Sequence, residues 1–176
     1  MKLLDEREPG SMSVQALSIE RIAREAGVSK TTIYRWWPSK AAVIIDTFIE
    51  NHILATHVRE DLPALDALRE HIVSLAEVYA GHEGRLMAQL IAESQYDEAT
   101  LADFKKHFWQ SRRETVTGLI SRAIEEGSIR ADIDPGLAAE VLYSPIYFRL
   151  LFQIGSLDRG SVEAGFHAAM DGLAAR

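Results

Sequence analysis

The densest set of chemically capable side chains lies just after residue 29. Lys30, Thr31, Thr32, Tyr34, Arg35 and Trp36 fall within seven consecutive positions. On one short helix, the hydroxyls and the aliphatic-stemmed cations of such a set can hydrogen-bond base edges or phosphates, and Tyr34 can place its hydroxyl on a phosphate. Lys40 opens the next helical stretch, where a cation and backbone N–H groups together could grip the same strand. Catalytic chemistry finds little material. There is no glycine-rich phosphate loop and no His-Glu-x-x-His, and the six histidines show no ligand spacing. No enzyme activity, cofactor or metal site is expected.

These residues need two short helices to hold them. Ser18 is placed to cap a helix over Ile19–Ala26, and Gly27-Val28-Ser29 breaks it, with Gly27 making the turn and Ser29 a second N-cap. A helix over Lys30–Trp37 follows and stops at Pro38. Helix, three-residue turn and helix form a helix-turn-helix, whose second helix can enter the DNA major groove. Ile22, Ala23, Val28 and Ile33 are spaced to bury the contact between the helices, and Trp37 to lock the second helix onto the next. Trp36 is expected to face outward. Helical periodicity continues over 40–58, 64–80, 85–95, 97–126, 136–154 and 161–175, with no alternation typical of a strand. The fold expected is all-α: an N-terminal helix-turn-helix domain over 1–58, and a C-terminal helical bundle over 59–176.

Charge divides along the same line. The chain of 176 residues carries a net −7, which at face value opposes nucleic-acid binding. Residues 1–60 are neutral, however, and the whole deficit lies beyond them. Arg21 to Lys40 holds five basic residues and one acid, Glu25. With no cysteine, disulfides, thiolate zinc sites and cysteine nucleophiles are excluded. No apolar run approaches the roughly 18 residues of a membrane span, and the N-terminus lacks a secretory signal. A cytoplasmic protein with no membrane partner is expected.

The string Ile22-Ala23, Ala26-Gly27-Val28-Ser29-Lys30, Thr32-Ile33-Tyr34, Trp37 and Ser39-Lys40 resembles the tetracycline-repressor (TetR) family of one-component regulators. More loosely, Phe108-Trp109-Gln110-Ser111-Arg112-Arg113, Ala123-Ile124-Glu125-Glu126-Gly127, Asp134-Pro135 and Tyr147-Phe148-Arg149-Leu150-Leu151 resemble the C-terminal half of one subgroup. The resemblance implies that Ser29, Lys30, Thr31, Thr32, Tyr34, Trp36 and Lys40 touch DNA, and that Ser18 contacts a phosphate. It implies a homodimeric regulator, usually a repressor, released from a palindromic double-stranded operator by a small-molecule effector. Family members normally begin with a basic arm and a four-turn first helix. Here only Met1 to Arg7 could belong to that helix, so a shortened one is expected. An internal methionine start, a trimmed chain or a cloning scar at Gly10-Ser11-Met12 are the alternatives. The alternative function is a helical small-molecule-binding or interaction module without competent DNA binding.

For an effector, Tyr79, Met87, Phe104, Phe108, Trp109 and Tyr143 are the pocket candidates, with His107 and Arg112 near enough in sequence to orient a polar group. At helical spacing such residues are also what a core requires. The segment 136–154 is apolar nearly all round and must be covered on every side. With the last helix it resembles the family's two-helix dimer face, and Pro145 is expected to kink it.

Overall fold

The computed structural model describes residues 13–14, 16–56 and 58–174; the expected first-helix remnant at Met1–Arg7 lies outside them. The described residues form nine α-helices and no strand: α1 Ile19–Ala26, α2 Lys30–Trp36, α3 Lys40–Ala55, α4 Ala64–Tyr79, α5 His82–Ser94, α6 Glu98–Phe104, α7 Gln110–Glu125, α8 Pro135–Phe152 and α9 Arg159–Leu173. A π-helical turn, Lys105–Trp109, joins α6 to α7. The expected single helix over 97–126 is therefore corrected: Asp97 caps it by accepting from the Thr100 N–H at 2.7 Å, but it widens into a π turn midway. Single π turns are inserted where packing asks for one extra residue. Here Phe104 and Phe108 stay on one side, their rings stacked at 5.2 Å, and Phe108 meets Phe48 edge-on at 5.9 Å.

The chain divides into two compact units, Met1–His52 with Arg85–Gln110, and Ile53–Gly84 with Ser111–Arg176. This grouping differs from a single boundary after residue 58 by placing 85–110 with the first unit. That unit is tied together by polar contacts of long sequence separation. The Val14 N–H donates to Gln89 Oε1 at 2.7 Å, Ser39 Oγ donates to Asp103 Oδ2 at 3.2 Å, and Lys40 Nζ lies 3.5 Å from Glu93. Val14 and Leu17, just ahead of α1, are buried.

In the second unit α4, α8 and α9 pack on one another around Leu68, Ile72, Leu75, Ile146, Phe166 and Met170. Asp134 caps α8 ahead of Pro135 at its first position, and Asp158 caps α9 by accepting from Ser161 N–H at 2.8 Å. Both are strong N-terminal signals because a carboxylate satisfies an orphan helix N–H and favours the positive end of the dipole. Helix α8 continues through Pro145, which has no N–H to offer the Val141 carbonyl.

One buried polar contact links α4 to α8: His71 Nδ1 and the Tyr143 hydroxyl are 2.6 Å apart, both side chains nearly inaccessible. Burial, then the neighbouring Tyr147, pushes the Tyr143 phenol well above its usual pKa, so it stays neutral. Tyr143→Phe is expected to cost about 1–3 kcal/mol by removing the phenol from a buried imidazole. The readout is a lower urea midpoint at unchanged slope. An unmoved midpoint would mean that the pair adds nothing net.

Candidate nucleic-acid interface

Helix α1 starts where Ser18 Oγ accepts from the Arg21 N–H at 3.2 Å, and ends at Gly27, whose φ of +66° is open to glycine at little cost. The N–H of Val28 then bonds back to the Ala23 carbonyl at 3.0 Å, which closes the turn. Ser29 Oγ accepts from the Thr32 N–H at 3.1 Å to start α2, and also shares a 3.0 Å hydrogen bond with the Thr32 hydroxyl. Ile19, Ala23 and Ile33 form the buried contact between the helices, with Ile22, Trp37 and Val43 packed around them. Val28 is a correction: expected in this contact, it is 42% exposed, because the turn residue points away from both helices. Trp37 is partly buried and donates from Nε1 to Asp46 Oδ2 at 3.0 Å, locking α2 onto α3.

The packing leaves one side of α2 in solvent. Lys30, Thr31, Tyr34, Arg35 and Trp36 are all exposed, Tyr34 at 52% and Trp36 at 68%. The Arg35 guanidinium sits 5.5 Å over the Trp36 ring, a cation–π contact that holds both side chains outward. The other candidates are placed differently. Ser18, Ser29 and Thr32 hold the helix starts together, so any DNA contact from them must share an oxygen already engaged in capping. Lys40 is turned inward, Nζ donating to the Val14 carbonyl at 3.1 Å and facing Glu93.

One participant went unnoticed in the sequence. Glu20 reaches across the turn to Lys30, 2.9 Å from its Nζ, and this hydrogen bond raises the lysine pKa and lowers that of the glutamate. It stands one residue before the basic window Arg21–Lys40, so counting that window alone hid it. Arg21 pairs with Glu25 at 3.2 Å as well. Three of the five cations in the window thus face a carboxylate in the absence of DNA.

The effector candidates fall in both units. Met87, Phe104, Phe108 and Trp109 belong to the first unit, Tyr79 and Tyr143 to the second. Trp109 is partly exposed and the other five are core. The Tyr79 and Tyr147 rings meet edge-on at 5.8 Å. An open cleft of about 750 Å³ lies instead in the second unit, lined by Thr56, Val58–Asp61, Ser111, Arg112 and Thr115. Of the effector candidates and the two residues named to orient a polar group, only Arg112 lines it; His107 is exposed on the π turn.

Comparison with known proteins agrees with this geometry. Residues 13–47 match the "Bacterial regulatory proteins, tetR family" domain, and residues 63–169 the "Tetracyclin repressor-like, C-terminal domain". The chain belongs to the TetR family of transcriptional regulators. Among its relatives, the uncharacterized HTH-type transcriptional regulator YdeS of Bacillus subtilis (strain 168) is 34% identical over 136 residues, covering 77% of this chain and 69% of YdeS. A second, the uncharacterized HTH-type regulator Rv2250c of Mycobacterium tuberculosis (strain ATCC 25618 / H37Rv), is 30% identical over 135 residues, 73% of this chain and 67% of its own. The crystal structure of the TetR family transcription regulator SCO0332 superposes with a TM-score of 0.82 at 29% identity, covering 97% of this chain and 91% of that one. These TetR relatives are DNA-binding regulators rather than enzymes. No helix among the described residues is long and apolar enough to cross a membrane.

Proposed function

We propose that this TetR-family regulator is a homodimeric, effector-responsive repressor. In this reading the α2 helices of two subunits read the half-sites of a palindromic operator, and a small molecule releases them. The observation that carries it is the outward side of α2, where Lys30, Thr31, Tyr34, Arg35 and Trp36 are exposed together while Ile33 alone is buried below. Ser18, Ser29, Thr32 and Lys40 complete the proposed interface, Lys40 by exchanging Glu93 for a phosphate. Residues 1–58 would form the DNA-binding part and 59–176 the effector and dimer part, with 85–110 joining the two through Gln89, Glu93 and Asp103.

The dimer is proposed to form through α8 and α9. Leu137, Val141, Phe148, Leu151 and Phe152 make an exposed apolar stripe along α8. Gly160, Ala164, Ala168 and Gly172 give α9 an exposed side of small residues at four-residue spacing. Large side chains beside a small-residue groove suit a four-helix bundle formed with a second copy. An effector that favours a dimer geometry with mismatched reading helices lowers DNA affinity, and by linkage DNA must weaken effector binding by the same factor.

The test is fluorescence anisotropy with labelled DNA flanking the protein's own gene, at stated salt. Tyr34→Ala is expected to weaken binding about tenfold, the worth of one good polar contact. Lys30→Ala is expected to reduce the slope of log affinity against log salt by about one if the lysine holds a phosphate. If neither variant changes the affinity or its salt slope, α2 is not the reading helix.

A further inference from the structure

The cleft of the second unit has chemistry of its own. Thr56, which is buried, and Arg112, which is half-buried, line it; Arg59, Glu60, Asp61, Ser111 and Thr115 are exposed around it. Arg59 and Asp61 neutralise each other through two hydrogen bonds of 2.8 and 2.7 Å. Arg112 has no such counter-ion: among the described residues no carboxylate lies within ion-pair distance, and its hydrogen bond to Thr56 Oγ1 is long, 3.5 Å. Burial opposes its charge and lowers its pKa, with only the phenols Tyr79 and Tyr147 acting the other way. A guanidinium remains charged under these conditions, so a fork of donors is presented to a cleft large enough for a small organic molecule.

We infer that the cleft takes a monocarboxylate with an uncharged body, its carboxylate held by the Arg112 guanidinium. This rests on the regulator reading above and names the chemical class of its effector. A planar fork matches a carboxylate through two parallel hydrogen bonds, and such charge-assisted bonds strengthen where water is partly excluded. The exposed Glu60 carboxylate at the rim disfavours a second negative charge, so a phosphate dianion fits poorly. The body of the ligand lies along Val58 and the methyl groups of Thr56 and Thr115. Arg112 acts electrostatically on Tyr147 of α8, the helix of the proposed dimer face, so neutralising it alters the field there.

The experiment titrates the full chain with benzoate, benzamide and inorganic phosphate at millimolar concentration, following the Arg112 Nε–H resonance and the melting temperature. Benzoate is expected to shift that resonance saturably and raise the melting temperature, with benzamide and phosphate roughly tenfold weaker or more. Arg112→Gln is expected to abolish the preference for benzoate over benzamide, and Arg112→Lys to restore part of it. Equal affinity for benzoate and benzamide, phosphate binding as tightly as benzoate, or no benzoate effect at Arg112 overturns the inference. The comparison within the native protein stands even if Arg112→Gln fails to fold. DNA binding is measured on the same sample. Operator binding with Arg112 silent to benzoate overturns this inference and leaves the regulator reading intact. A benzoate shift in a protein that binds no DNA supports the cleft chemistry and overturns the regulator reading.

Discussion

Phe148→Asp is expected to turn the dimer into a monomer without unfolding it. In the single chain Phe148 is 54% exposed, and its ring lies 5.0 Å from that of Phe152, itself 65% exposed. An aspartate at that position is solvated in the monomer, so the melting temperature of the isolated chain changes little. In a two-fold interface the same substitution occurs twice. Each phenylalanine withdrawn from the contact forfeits about 1.5–3 kcal/mol of burial, and two copies forfeit about 3–6 kcal/mol, before any cost of desolvating the carboxylates. That corresponds to a dissociation constant weaker by a factor of about a hundred to ten thousand. Sedimentation equilibrium at micromolar concentration reads it directly. Binding to a palindromic duplex should fall in parallel, because one half-site then has to hold a single subunit. A variant that stays dimeric would move the interface away from α8.

Gly84→Ala is the second large effect, and it acts on the fold. A Cβ at Gly84 would stand 1.9 Å from the Tyr79 carbonyl oxygen and within 2.8 Å of two further backbone atoms of that residue. Backbone cannot rotate aside as a flexible side chain can. The start of α5 must therefore move off the end of α4, where Tyr79 is itself buried against Tyr147. Overpacking of this kind costs about 1–3 kcal/mol or more. For a chain of this size that lowers the melting temperature by about 2–12 °C. Gly118→Ala is the matched control: in mid-α7 a Cβ meets no atom within 4 Å. There alanine is expected to add up to about 1 kcal/mol by helix propensity and raise the melting temperature. Differential scanning calorimetry should thus record shifts of opposite sign. Equal shifts would mean that the α4–α5 turn has room to relax.

Glycine arithmetic marks where sequence reading ends. Gly81 and Gly84 both precede the stretch 85–95 whose periodicity predicts the helix. The structure starts α5 at His82 and places Gly84 inside its first turn, pressed on Tyr79. Nothing in the residue types separates a turn glycine from a close-contact glycine, since the distinction depends on which backbone approaches. The π turn at Lys105–Trp109 was hidden for a similar reason. Its periodicity is that of one long helix until Phe104 and Phe108 are asked to meet Phe48.

The amino-acid sequence alone determined the helices, most of their caps and the outward chemistry of α2. Those features rest on neighbours three or four residues apart: Ser18 with Arg21, Ser29 with Thr32, Asp134 ahead of Pro135, and the Ile22-Ala23 and Ile33 spacing that buries one side. Local rules of that range are written in the order of residues. What only the tertiary structure decided is what those residues face. It set Glu20 against Lys30, turned Lys40 toward Val14 and Glu93, buried Tyr79, Met87, Phe104, Phe108 and Tyr143 in cores while leaving Trp109 partly exposed, and placed Arg112 at a cleft with no counter-ion among the described residues. Each of these depends on partners set by how helices cross, and a side chain's type fixes what it can bond but not which neighbour the crossing brings within reach.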